Sequence, residues 1–109
     1  MIKVYIASPY SIGNKEENVF RQMQVADILI SEGFCPYIPL LTHYQHLQFP
    51  QPYNFWLEYD LEWLFCCEAI LRLDGESYGA DKEEEYAKEL GIPIFYDIPT
   101  LILYFDDNK

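Results

Sequence analysis

The chain is short of positive charge. Seven Lys and Arg stand against eighteen Asp and Glu, a formal net charge of −11 over 109 residues. That imbalance repels polyanions, so broad contact with DNA, RNA or an anionic membrane surface is excluded. One small anion held by backbone N–H groups at a helix start is not. Cysteine is also scarce. Cys35, Cys66 and Cys67 give neither a disulfide framework nor the spacing of a zinc site, and the adjacent pair reads as small apolar residues closing a helix. No apolar run approaches the roughly 20 residues of a membrane span. The opening residues 1–7 (MIKVYIA) are too short an apolar stretch for a secretory signal and read as a strand. A reducing cytoplasm is the expected setting. Repeats, low-complexity tracts and interdomain linkers are lacking too, so residues 1–109 are expected to form one domain.

What the chain does hold is apolar and aromatic: half of its residues are hydrophobic and 17% are aromatic, which excludes disorder. Residues 2–7 are a β-branched and aromatic run stopped by Ser8 and Pro9, the pattern of a buried strand. Residues 15–31 read as a helix, with apolar positions Val19, Phe20, Met23, Ala26 and Ile30 and with Gly33 just beyond. Residues 34–41 form a second strand whose Pro36 and Pro39 donate nothing to a ladder, which places it at a sheet edge. A loop over 42–52, a helix over 53–67 and a strand over 69–73 follow. A turn over 74–79 leads to a helix over 81–90, with Asp81 as N-cap, Glu84 completing a capping box and Gly91 ending it. Residues 92–96 are a fourth strand and 98–105 a short apolar tail, of which 101–105 is too short for a second core element and free to cover the sheet edge or pack on another copy.

Strands alternating with helices predict an α/β fold: one small, doubly wound parallel sheet in the order 2-1-3-4, flavodoxin-like or Rossmann-like, with helices on both faces. Ligands in such folds bind beyond the carboxyl ends of the strands, where the strand order reverses. The loops after strands one, two and three converge there.

Two carboxylates are predicted to face that crevice. Glu83 lies four residues before Ala87 and seven before Leu90, on the inward stripe of its helix, whereas Glu84 pairs outward with Lys88. Asp60 sits in the stripe of Leu57, Leu61 and Leu64, flanked by Trp56 and Trp63. A carboxyl set among such neighbours must be paired, hydrogen-bonded or protonated. Plainer roles also fit. Acids in a first helical turn complement the helix dipole by roughly 0.3–1 kcal/mol each, and Asp60 suits an anchor bonded to a backbone N–H or a Tyr hydroxyl. Two inward acids at one crevice also match glycosidic chemistry, in which one carboxyl attacks and the other manages protons.

At these residues the chain resembles the nucleoside 2-deoxyribosyltransferase superfamily, including its 2-deoxynucleoside 5-phosphate N-hydrolase branch. The resemblance runs from Val4 to Phe95 and rests on residues 5–10 (YIASPY), 60–64 (DLEWL) and 77–83 (SYGADKE) with Ala87. It implies that Glu83 is the nucleophile toward the anomeric carbon. Asp60 is then the second acid, and Tyr5 the tyrosine bonded near the nucleophile. It places Ser77 where the hydrolase branch contacts phosphate. Glycine at position 79 lets backbone approach a sugar or phosphate closely, and Ser8 and Pro9 open the loop after strand one, at the predicted crevice. His43 and Trp56 are candidates to flank the base. The hydrolase branch's first-loop arginine has no counterpart; Asn14 and Lys15 stand there instead. The resemblance implies N-glycosidic cleavage of a nucleoside or nucleotide without metal or other cofactor, and a homo-oligomer. A nucleotide-binding or regulatory module on the same fold is the alternative.

Overall fold

A computed structural model describes residues 1–52 and 54–107, the last by its backbone alone. Four strands, β1 (Lys3–Ala7), β2 (Cys35–Tyr37), β3 (Ala69–Arg72) and β4 (Ile94–Phe95), form one parallel sheet in the order β2-β1-β3-β4. Among the described residues, five α-helices surround it: α1 (Lys15–Ser31), α2 (Thr42–Gln48), α3 (Phe55–Leu64), α4 (Tyr78–Leu90) and α5 (Ile98–Asp107). The fold class and strand order are those predicted.

Strand alternation divides the core into two layers. Val4 and Ile6 of β1 pack with Ala69, Leu71, Ala26, Leu29 and Leu101 on the α1 and α5 side. Tyr5 and Ala7 pack with Ile70, Leu64, Ala80 and Ala87 on the α3 and α4 side. The second layer carries the candidate chemistry.

Several elements depart from the sequence reading. β2 pairs with β1 alone and lies at the edge as expected, but it is only three residues long. Pro39 then opens a 3-10 turn, Pro39–Leu41, because its fixed φ suits a helical first position and it cannot extend a ladder. The predicted loop that follows holds α2, a stretch without Pro or Gly that ends before Pro50. The third helix is shorter than the predicted 53–67: it starts after Asn54 in a left-handed conformation (φ 70°) and ends at Leu64. Its predicted first residue, Tyr53, lies outside the described residues. Cys66 and Cys67 follow in the exit turn.

On α1 the buried stripe is Val19, Gln22, Ala26 and Leu29, while Phe20, Met23 and Ile30 stay exposed. The polar Gln22 wins the inward position because its amide is fully used. It donates to the Ile6 carbonyl (3.0 Å) and the Ser8 hydroxyl (2.8 Å) and accepts the Leu40 N–H (2.9 Å). The apolar tail is the helix α5, and its Leu101 is fully buried against the sheet. Packing of Phe105 on Phe34 and Phe95 makes this short segment part of the core rather than a surface cover.

The start of α4 is the correction that matters most for the site. Ser77, not Asp81, is the N-cap: its hydroxyl accepts the Ala80 N–H at 3.1 Å. The helix therefore begins one turn earlier than the sequence suggested, and Asp81 is instead held by Arg72 at 3.0 Å. Gly91, with φ 72°, closes the helix as predicted, its own and the next N–H capping carbonyls of the last turn.

Candidate active site

Beyond the carboxyl ends of β1 and β3, where the strand order reverses, lies a cleft of about 460 Å³. Both predicted acids line it. Glu83 lies on the stripe Ala80, Glu83, Ala87, all three buried. Asp60 shares the buried face of α3 with Leu64. Glu83 and Asp60 are each only 7% exposed, so each needs a partner, and each has a tyrosine.

Those tyrosines come from sheet register. Tyr5 of β1 and Tyr37 of β2 are paired residues on adjacent parallel strands, so both side chains leave the same face, with ring centroids 5.5 Å apart. The Tyr5 hydroxyl donates to Glu83 Oε2 in a short hydrogen bond. The Tyr37 hydroxyl donates to Asp60 Oδ1 at 3.2 Å, and the outer face of Tyr37 stacks on Trp63 at 5.5 Å. Burial, reinforced by the neighbouring carboxylates, holds both phenols well above their ordinary proton affinity, so they remain donors.

Burial is also the main influence on the acids. It raises Glu83 to about 8, with the Tyr5 bond pulling down, the Asp60 charge pushing up and Arg72 pulling down. Asp60 rises to about 7 through burial, opposed by the Tyr37 bond. The helix start lends the Glu83 carboxylate little support. With α4 beginning at Tyr78, Glu83 lies beyond the first turn, where the dipole's influence has faded. Desolvation wins.

Arg72, at the end of β3 and 8% exposed, organises the turn into α4. Its guanidinium donates to the Leu73 carbonyl, to the Gly75 carbonyl at 2.9 Å and to Asp81 Oδ1 at 3.0 Å. From α1, Arg21 donates to the Asp74 carbonyl at 3.0 Å. Three successive carbonyls of the turn are thus held by guanidinium groups, which fixes Ser77 to Ala80 at the cleft.

The other predicted residues fall as follows. Ser8, Ser77, Gly79, Trp56 and His43 line the cleft. At Gly79 a Cβ would meet nothing within 4 Å, so the space beside that backbone is open. Tyr5 is fully buried, off the cleft wall, and bonded to Glu83. Pro9 is not on the cleft wall. It packs behind, against Gly75, whose φ of 119° and 2.7 Å separation between an added Cβ and Pro9 Cγ leave room only for glycine.

Sequence reasoning missed Tyr37, Arg72, Tyr10 and His46. The register that pairs Tyr37 with Tyr5 is a long-range property, and so is the turn that Arg72 clamps; an arginine inside an apolar strand was the available signal. Tyr10 and the Nδ1 atom of His43 share a hydrogen bond of 2.6 Å. His46 is fixed by Trp56, whose indole N–H donates to its Nδ1 at 2.9 Å. Lys15, the cation standing where the resemblance expects arginine, does line the cleft.

A doubly wound parallel sheet with a carboxylate-lined cleft at its switch point defines the class: an α/β protein with the nucleoside deoxyribosyltransferase fold. A solved 2-deoxyribosyltransferase from Bacillus psychrosaccharolyticus superposes with a TM-score of 0.60 at 22% identity, covering 88% of this chain and 75% of that one. At that identity the likeness establishes the fold. The sequence model of the family described as a domain of unknown function, DUF7768, matches residues 2–97, and the chain belongs to that family. None of the curated proteins matches it. No described helix is long and apolar enough to cross a membrane.

Proposed function

We propose that the cleft cleaves the N-glycosidic bond of a (deoxy)nucleoside or its 5′-monophosphate, with Glu83 as nucleophile and Asp60 as acid and base. The observation that carries this reading is the pair of buried carboxyls, from two different helices, on one cleft and each with its own tyrosine. Glu83 attacks C1′ and the bond to the base breaks. The electron pair leaves with the base nitrogen, which takes a proton from Asp60. Water, or a second base, then attacks C1′ of the glycosyl ester. Asp60 removes the proton of that nucleophile, and the Glu83 carboxylate is released.

Tyr5 steadies the ionised form of Glu83 through its hydrogen bond, and Asp60, raised to about 7, retains a proton near neutrality. The hydroxyl of Ser77 accepts at the helix cap, so its own proton is free for a phosphate oxygen. Lys15 and the first N–H groups of α4 complete an anion-binding corner. A homo-oligomer belongs to the same reading, to be checked by sedimentation.

One observation favours the alternative of a nucleotide-binding module without turnover: burial keeps Glu83 largely protonated at neutral pH, which weakens it as a nucleophile. The two readings separate in one experiment. The protein is incubated with 2-fluoro-2-deoxy nucleosides and nucleotides, and with their unfluorinated parents, between pH 6 and 9. Enzyme action leaves a sugar adduct on Glu83 and releases base. Nucleotide binding with neither adduct nor free base at any pH leaves the module.

A further inference from the structure

The cleft wall carries a hydrogen-bonded pair, Trp56 and His46, that the cleavage step does not use. Trp56 precedes Asp60 by four residues on α3, so the two side chains lie about 6 Å apart along one face of the helix. Both line the cleft. A base that takes its proton from Asp60 therefore leaves beside the Trp56 indole. Phe55, Tyr59 and His46 meet that indole edge-on, with centroids 5.1, 5.2 and 6.4 Å away, and hold it in one orientation.

The chemistry of His46 is equally fixed. Its Nδ1 accepts two hydrogen bonds, from the Trp56 indole N–H at 2.9 Å and from the Gln51 backbone N–H at 3.2 Å. An Nδ1 that accepts from two donors carries no proton, so the neutral ring bears its hydrogen on Nε2. The ring is partly exposed on the cleft wall, and Nε2–H is its remaining polar group. His46 is a donor there and cannot become an acceptor without breaking both bonds at Nδ1.

We infer that Trp56 and His46 form a leaving-group subsite that selects a heterocycle bearing an oxo acceptor over its amino counterpart. This rests on the proposed reading for the location of the base. An oxo group accepts the Nε2–H bond. An amino group sets donor against donor and leaves both unpaired, which is the more discriminating half of the effect.

The test uses calorimetric binding to the Glu83→Gln variant, so that turnover plays no part. The probes are two matched pairs, deoxyuridine with deoxycytidine and deoxyinosine with deoxyadenosine. The oxo member of at least one pair is expected to bind about tenfold tighter or more. Adding His46→Ala should reduce that ratio to within about twofold, whereas His46→Gln, which retains an N–H donor, should restore part of it. Circular dichroism checks that each variant is folded. Equal or tighter binding of both amino members, a preference that survives His46→Ala in the folded protein, or no binding of any probe overturns the inference. Oxo-selective binding to the variant without base release by the wild type upholds the subsite and removes the cleavage reading.

Discussion

Glu83→Gln should stabilise the protein, and by more as the pH rises. Glutamine keeps the shape of the buried side chain, and its carbonyl can accept the Tyr5 hydroxyl proton, but it never ionises. The glutamate does. Its proton affinity rises from an ordinary value near 4.5 to about 8 in the fold, chiefly by desolvation. Below pH 4.5 the folded and unfolded chains both hold the proton, and this group contributes no slope. Between 4.5 and about 8 the folded chain holds a proton that the unfolded chain has released, so stability falls as pH rises. Above about 8 both forms are ionised and the loss is complete.

At about 1.4 kcal/mol for each tenfold change in proton affinity, ionised Glu83 costs the fold on the order of 5 kcal/mol. At about 4–8 °C per kcal/mol for a chain of this size, Tm of the variant should exceed that of the wild type by about 20 °C or more at pH 9. The gap should close toward pH 4.5. Thermal or urea denaturation of both proteins from pH 4.5 to 9 measures it, and a gap that stays constant or narrows with rising pH refutes the argument. Asp60, Tyr5 and Tyr37 are present in both proteins, so the comparison isolates residue 83 and its coupling to them.

Three other perturbations test the site. Tyr5→Phe removes the hydrogen bond to Glu83; at about 1.5–3 kcal/mol for a bond to a charged group, the acid limb of the activity profile should move up by about 1–2 pH units. Activity at pH 7 should fall about 10–100-fold and recover in alkali, whereas a loss equal at every pH would mean that Tyr5 serves only packing. Arg72→Met removes the clamp on the turn and a positive charge that lowers Glu83. A carboxyl NMR titration should place Glu83 higher in this variant than in Arg72→Lys, and identical titrations in the two would count against an electrostatic role. Gly75→Ala forces a side chain into the left-handed region and against Pro9. It should cost about 1–3 kcal/mol in urea denaturation, and a neutral result would show that the turn is free to move.

The sequence by itself determined the alternation of strands and helices, the strand order and the inward facing of Glu83 and Asp60. Each of these follows from local periodicity and from right-handed crossovers. It also bounded the Asp60 partner to a backbone N–H or a Tyr hydroxyl without saying which. Only the tertiary structure decided that Tyr37 is that partner, because register between two strands more than thirty residues apart brings it beside Tyr5. Tertiary contacts likewise made Gln22 a core residue, turned the apolar tail into a buried helix and gave Asp81 to Arg72, leaving the cap to Ser77. The ionisation of Glu83 was beyond local reading for the same reason. A helix start alone favours the carboxylate, but the amount of protein packed over it, which no local pattern encodes, favours the acid.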